Sequence, residues 1–116
     1  MLVPGEAVLL RAFIGEDDAF DDMPLSDAIL AEARRRGLEG VTVLRGLAGY
    51  GGSAEIHRLS GLFSQDLPVI IEIIDARKKI EAFLPVLQGM MRGGLLTTQP
   101  LHVVRAFRKA PRAAGQ

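Results

Sequence analysis

The sequence predicts an α+β fold in which two helices cover one face of an antiparallel four-stranded sheet. Three observations point there. Residues 6–14 (EAVLLRAFI) and 67–75 (LPVIIEIID) are apolar on both sides, as strands are when central in a sheet or covered by a second subunit. Residues 24–36 and 76–91 carry apolar side chains at helical spacing. The elements alternate as strand, helix, strand, long loop, strand, helix, strand, the split βαβ or ferredoxin-like βαββαβ order.

Length and composition fit a single domain. The chain has 116 residues, enough to bury one core without staples, and 48% of them are hydrophobic. There is no cysteine, which excludes disulfides and thiolate metal sites. Fourteen basic residues balance fourteen acidic ones, so charge gives no argument for nucleic acid as a partner. No apolar run approaches a bilayer span, and the N-terminus lacks the basic region and cleavage site of a signal peptide, so a cytoplasmic protein is expected. Aromatics are only 5% of the chain against abundant Leu, Ile and Val, and part of that aliphatic surface is expected in a subunit interface.

Each element has its own reason. In the first strand Val8, Leu10, Ala12 and Ile14 line one side, and Leu9, Arg11 and Phe13 the other. The acidic turn at 16–22 (EDDAFDD) has carboxylates suited to a hard cation, but EF-hand spacing is absent. It reads as a solvated loop, and no metal is expected. The first helix places Pro24 in its first turn, with Ser26 or an upstream acid as cap. Leu25, Ala28, Ile29 and Ala33 form its apolar face, and Arg34, Arg35 and Arg36 crowd its last turn as solvated charges.

The second strand opens a stretch unlike the rest, residues 40–52 (GVTVLRGLAGYGG). Val41, Val43 and Leu44 suit a pleated sheet. Gly46, Gly49, Gly51 and Gly52 then fall around Tyr50, and no regular element requires so many glycines. A backbone taking positive φ, or approaching another backbone or a ligand, does require them. The stretch 53–65 shows no clear periodicity and reads as a long loop or frayed helical turn, of a length that is often functional. His57 within it reads as a surface residue.

In the third strand Glu72 is a carboxylate among aliphatics, so it either faces solvent or a cleft or has a specific partner. Asp75 is placed to cap the second helix, where Ile80, Phe83, Leu84, Leu87 and Met91 form the core stripe. Arg77, Lys78 and Lys79 stand at its start against the dipole preference. Pro85 is expected to kink or break it. Residues 92–94 (RGG) end it. A final extended run at 95–98 and 101–107 is interrupted by Pro100. Residues 109–116 read as a disordered tail, leaving 1–108 as one domain.

The pieces IGEDD (14–18), PLSDAILAEARRRGLEGVTVLRGLAGYG (24–51), DLPVIIEIID (66–75) and FLPVLQGMMRGGLLT (83–97) resemble the bacterial and archaeal PII-like proteins called domain of unknown function 190. The wider PII likeness lies in GxxGxTV at 37–43, the Gly49-Tyr50-Gly51 triplet and Ile71-Glu72-Ile73. The resemblance implies a homotrimer packed around a central axis, with clefts between subunits that bind an adenine nucleotide or another anion. It implies a mobile loop between the second and third strands that docks on a target protein, with a membrane transporter as a candidate target.

The positions this resemblance marks are Gly49, Tyr50 and Gly51 at the loop base, Glu72 in the third strand, and Arg92, Gly93 and Gly94 in place of a phosphate-cradling turn. Gly46 in the hinge and the adjacent Arg45 join them as candidate ligand contacts, the latter as added positive charge. RGGLLT is shorter than the PII turn, with Arg92 as its one cation, and the loop lacks the usual tyrosine modification site. The leading expectation is a trimeric regulator that senses a small ligand, without a cofactor or catalytic residues. A ligand-free adaptor trimer and a small ferredoxin-fold enzyme are the alternatives; no nucleophile–base spacing favours the enzyme.

Overall fold

Arg11 and Glu72 interrupt two aliphatic strands that lie side by side in the middle of the sheet. In the computed structural model, which describes residues 2–52, 55–60, 63–64 and 66–106, the elements in chain order are β1 (Gly5–Gly15), β2 (Ala19–Phe20), β3 (Met23–Pro24), α1 (Leu25–Arg35), β4 (Gly40–Arg45), β5 (Ala48–Gly49), β6 (His57–Ser60), β7 (Phe63–Ser64), β8 (Pro68–Asp75), α2 (Arg77–Met90) and β9 (Leu95–Val103). The main sheet runs β4-β8-β1-β9 with every pairing antiparallel. This is the expected α+β, ferredoxin-like arrangement, and the two doubly apolar strands are the central ones. The 109–116 tail and the end of the last extended run, 107, lie outside the described residues.

Alternation along the strands decides the two faces. Val8, Leu10, Ala12, Ile14, Val69, Ile71 and Ile73 point to one side and pack with Leu25, Ala28, Ile29 and Ala33 of α1 and with Ile80, Phe83, Leu87 and Met90 of α2. Both helices thus sit on that side, and the core is almost wholly aliphatic. On the other side cross-strand partners form rows. One row is Leu44, Ile70, Phe13 and Leu95; the next is Thr42, Glu72, Arg11 and Thr97; a third is Gly40, Ile74, Leu9 and Gln99.

Several local expectations are corrected. Pro24 is the N-cap residue of α1 without a side-chain cap bond; instead the Leu25 N–H donates to the Asp18 carbonyl at 2.8 Å. Ala76, not Asp75, occupies the N-cap of α2, again without a side-chain cap. The helix runs through Pro85, whose exposed position lets water satisfy the carbonyl its missing N–H leaves free. Pro100 does not interrupt β9. It pairs with Val8 within one strand, and an edge strand tolerates a proline whose N side faces outward. Residues 57–60 and 63–64 are extended rather than helical, and among the described residues they pair with each other and with β5.

Asp75 is fully buried (0% exposed) and holds a junction rather than a helix cap. Its Oδ1 accepts the Ala76 N–H at 2.7 Å and its Oδ2 the Glu39 N–H at 3.1 Å. The Lys79 ammonium lies 3.3 Å from Oδ2 and also donates to the Gly37 carbonyl. Glu39 in turn accepts the Leu2 N–H at 2.8 Å. The buried carboxylate is thereby compensated, and it ties together the N-terminus, the end of α1 and the start of α2.

Candidate functional site: the loop end of the sheet

The C-terminal ends of β1 and β4 and the N-terminal ends of β8 and β9 meet at one end of the sheet, because Gly15 pairs with Pro68, Arg45 with Val69 and Phe13 with Leu95. Three candidate segments gather there: 45–51, the acidic turn after β1, and 92–94.

Pro68 explains two of the loop glycines. The Gly46 N–H donates to the Pro68 carbonyl at 2.7 Å. A Cβ on Gly46 would lie 2.7 Å from Pro68 Cγ, and one on Gly49 3.2 Å from the same atom. Close approach to the Pro68 ring is therefore the reason for Gly46 and Gly49, and positive φ is not. The positive-φ glycines among the described residues are Gly5, Gly37 and Gly94. At Gly51 and Gly52 a Cβ would meet nothing within 4 Å, so the fold of one chain makes no demand for glycine there. Beyond Gly46 the chain folds back on itself: Ala48 pairs with Arg58, Gly49 with His57, and the Leu59 N–H donates to the Leu47 carbonyl at 2.8 Å. Leu47 (74% exposed) and Tyr50 (72% exposed) stand out into solvent on this arm.

Arg45 has a partner. Its Nε lies 2.6 Å from Glu16 Oε2, joining the end of β4 to the acidic turn. That turn is held by carboxylates: its own Asp18 accepts the Gly15 N–H at 2.9 Å, and Asp66, which precedes β8, accepts the Asp17 N–H at 2.8 Å. These two carboxylates satisfy backbone donors, and no group of three or more potential metal ligands is present among the described residues.

Glu72 also has a partner, the Arg11 guanidinium, with Nε donating to Oε2 at 2.7 Å. The pair sits one row in from the loop end, on the face that the helices leave open. Arg92, Gly93 and Gly94 are exposed at the start of β9. Gly94 is structural: its φ is +93° and a Cβ would lie 2.5 Å from the Phe13 carbonyl oxygen. Gly93 has no such constraint.

One chain does not bring all the sequence-predicted residues together. Gly46 and Gly49 cluster on Pro68 near the β4 edge and Arg45 reaches Glu16, while Arg92, Gly93 and Gly94 lie at the opposite, β9 edge. Three inter-strand spacings separate those edges, about 14 Å. Sequence reasoning missed Glu16 and Pro68 as partners, since neither carries a local signal. Arg11 carried one, as a charge flanked on both sides by apolar residues within a central strand.

The family profile of DUF190, described as "Uncharacterized ACR, COG1993", matches residues 7–103. A UPF0166 protein of Aquifex aeolicus (strain VF5) is 45% identical over 98 residues, covering 83% of this chain and 91% of that protein. A second UPF0166 protein, from Methanocaldococcus jannaschii, is 35% identical over 105 residues, covering 86% and 94%. Among solved structures, the fold is similar to CPII of Thiomonas intermedia K12, a protein described as nitrogen regulatory and PII-like. Its structure bound to ADP and bicarbonate has a TM-score of 0.58 at 17% identity, over 86% of this chain and 90% of that one. Its structure bound to ADP, AMP and bicarbonate has a TM-score of 0.59, also at 17% identity. With a profile that spans both helices and the whole sheet, and relatives aligned over most of their length, the chain belongs to the DUF190 family.

Proposed function

We propose that this protein is a PII-like regulator: a cytoplasmic homotrimer that senses a small anionic ligand, an adenine nucleotide or another anion, in clefts between subunits. The observation that carries the proposal is the division of the loop end. The glycine hinge lies at one sheet edge and the Arg92–Gly94 turn at the other, so a ligand that touches both backbones fits where the β4 edge of one subunit meets the β9 edge of the next. The unused glycines support this, because Gly51 and Gly93 leave backbone N–H groups approachable by an anion that the isolated chain does not supply. The open sheet face, with Leu44 and Leu95 exposed beside Phe13 and Ile70, supports assembly. CPII, which shares the fold, is itself described with ADP and bicarbonate bound.

The signal leaves through the segment from Gly46 to Pro68. A ligand that orders the tip presents Leu47, Tyr50, Ile56 and Leu59, all exposed, to a target protein, with a membrane transporter as the candidate. The single cation of the 92–94 turn makes Arg45 of the neighbouring subunit the second positive group of the cradle. This requires Arg45 to exchange Glu16 for the ligand, so binding and loop position are coupled. A thermal-shift screen against ADP, AMP, ATP, cyclic dinucleotides and bicarbonate tests the proposal, alongside sedimentation velocity. The expected result is a species of three 12.5 kDa chains whose melting temperature rises with at least one compound. A monomer that no compound stabilises contradicts it.

A further inference from the structure

The end of the molecule opposite the loop carries two basic triplets that lie apart in sequence. Arg34, Arg35 and Arg36 close α1, and Arg77, Lys78 and Lys79 open α2. The fold brings them together, since Lys79 bonds the Gly37 carbonyl immediately after the first triplet. Arg35 and Arg36 are engaged with Glu32, and Lys79 with Asp75. Arg34, Arg77 and Lys78 are exposed and have no ion pair among the described residues. No acidic residue stands in the first turn of α2 to offset them.

The same end exposes apolar side chains. Val3 (58% exposed) precedes β1, and Val104 (84% exposed) follows β9. Both are placed there by the Gly5–Val103 pairing and by the Leu2–Glu39–Asp75 chain of hydrogen bonds. The acidic turn 16–22 lies at the far end of β1. The chain is thus polarised: Arg34, Arg77, Lys78 and exposed valines stand at one end, where Glu6 and Glu39 are also exposed, and the acidic turn stands at the other.

We infer that this basic end docks on the surface of an anionic phospholipid bilayer. Cations beside exposed aliphatic groups match an interface of anionic headgroups over acyl chains. Single-stranded nucleic acid fits less well, because among the described residues the patch offers no aromatic side chain for base stacking. A head-to-tail contact with the acidic turn of a second copy also fits less well, because Glu16, Asp18 and Asp66 are already held by Arg45 and backbone N–H groups. The surface attraction is electrostatic and falls within a Debye length, so it weakens as salt rises. The loop end points away from such a surface, so a chain docked this way does not present its loop to a transporter in the same bilayer.

The test is co-sedimentation of the full chain with vesicles of phosphatidylcholine mixed with phosphatidylglycerol, against phosphatidylcholine alone. Binding to the mixed vesicles only, and weakening with salt, is expected. One cation near an anionic leaflet contributes about fivefold in affinity, so the R34Q/R77Q/K78Q variant should bind on the order of a hundredfold more weakly. Its melting temperature and any nucleotide response should be unchanged, which separates this test from that of the ligand site. Should the triple variant unfold, Arg77→Gln and Lys78→Gln alone should each cost about fivefold. Four results overturn the inference: no binding to mixed vesicles at low salt, equal binding to pure phosphatidylcholine, unchanged binding by the variants, or self-association without lipid that the substitutions abolish. Tighter binding to duplex DNA than to the vesicles does so as well.

Discussion

Arg11 and Glu72 stand directly opposite each other on the two central strands, joined by a 2.7 Å bond on the sheet face that neither helix covers. Their side chains are 38% and 28% exposed in one chain. In a solvated setting such a pair contributes between zero and about 1 kcal/mol. Enclosed between subunits it becomes sensitive to the loss of either member, at about 3–5 kcal/mol, because the survivor is a buried unpaired charge. Glu72→Ala is therefore expected to disrupt the trimer in sedimentation, and Arg11→Met with Glu72→Leu to restore it. A monomeric wild type, or a Glu72→Ala protein as stable and as assembled as wild type, argues against the enclosed face.

Asp75 gives a prediction independent of assembly. Asp75→Ala leaves the Glu39 and Ala76 N–H groups and the Lys79 ammonium without their shared acceptor. Each buried donor left unsatisfied costs about 1–3 kcal/mol. Urea unfolding should report a loss of about 3 kcal/mol or more, with a smaller loss for Asp75→Asn, which keeps one acceptor oxygen.

The glycines divide into those the fold needs and those it does not. Gly94→Ala forces a Cβ against the Phe13 carbonyl at φ +93° and should destabilise by about 1–3 kcal/mol. Gly51→Ala should leave the unfolding midpoint unchanged, since its Cβ meets nothing. Chemical denaturation of the two variants side by side makes the comparison.

Acid should loosen the end of α1. Hydrogen bonds from Arg35 and then Arg36 hold the Glu32 carboxyl below the ordinary range, at about 2, and Arg35 is raised by the same contact. A depressed folded-state value means the contribution is complete above the ordinary glutamate value of about 4.3 and is lost as pH falls through about 2. An NMR titration of the Glu32 carboxyl carbon should show that low midpoint and its return toward the ordinary value in Arg35→Gln. High salt should weaken the effect because the group is at the surface.

Much of the sheet was legible because its signals are local. The strands 6–14 and 67–75 declare themselves central by being apolar on both sides, and Ile80, Phe83 and Leu87 declare the buried face of α2, which closes on Met90 rather than the expected Met91. Pro100 misled because a proline's tolerance depends on whether its strand is an edge, which only the assembled sheet decides. Residues 57–60 and 63–64 had no period to read, since they form short strands that pair with each other and with β5. Gly46 and Gly49 were recognisable as special, but their reason is Pro68, which lies across the β4–β8 pair. Glu72 was visible as an anomaly, and so was Arg11, while their register was set by pairing over 61 positions.

The central claim is an anion site shared between the β4 edge of one subunit and the β9 edge of the next, and Gly51→Val probes it most directly. Titration calorimetry of wild type and variant with ADP, each confirmed as trimer by sedimentation, is the decisive measurement. Saturable binding by wild type that is lost in a Gly51→Val protein of unchanged fold and assembly is the predicted result. Equal binding by the two proteins would contradict it.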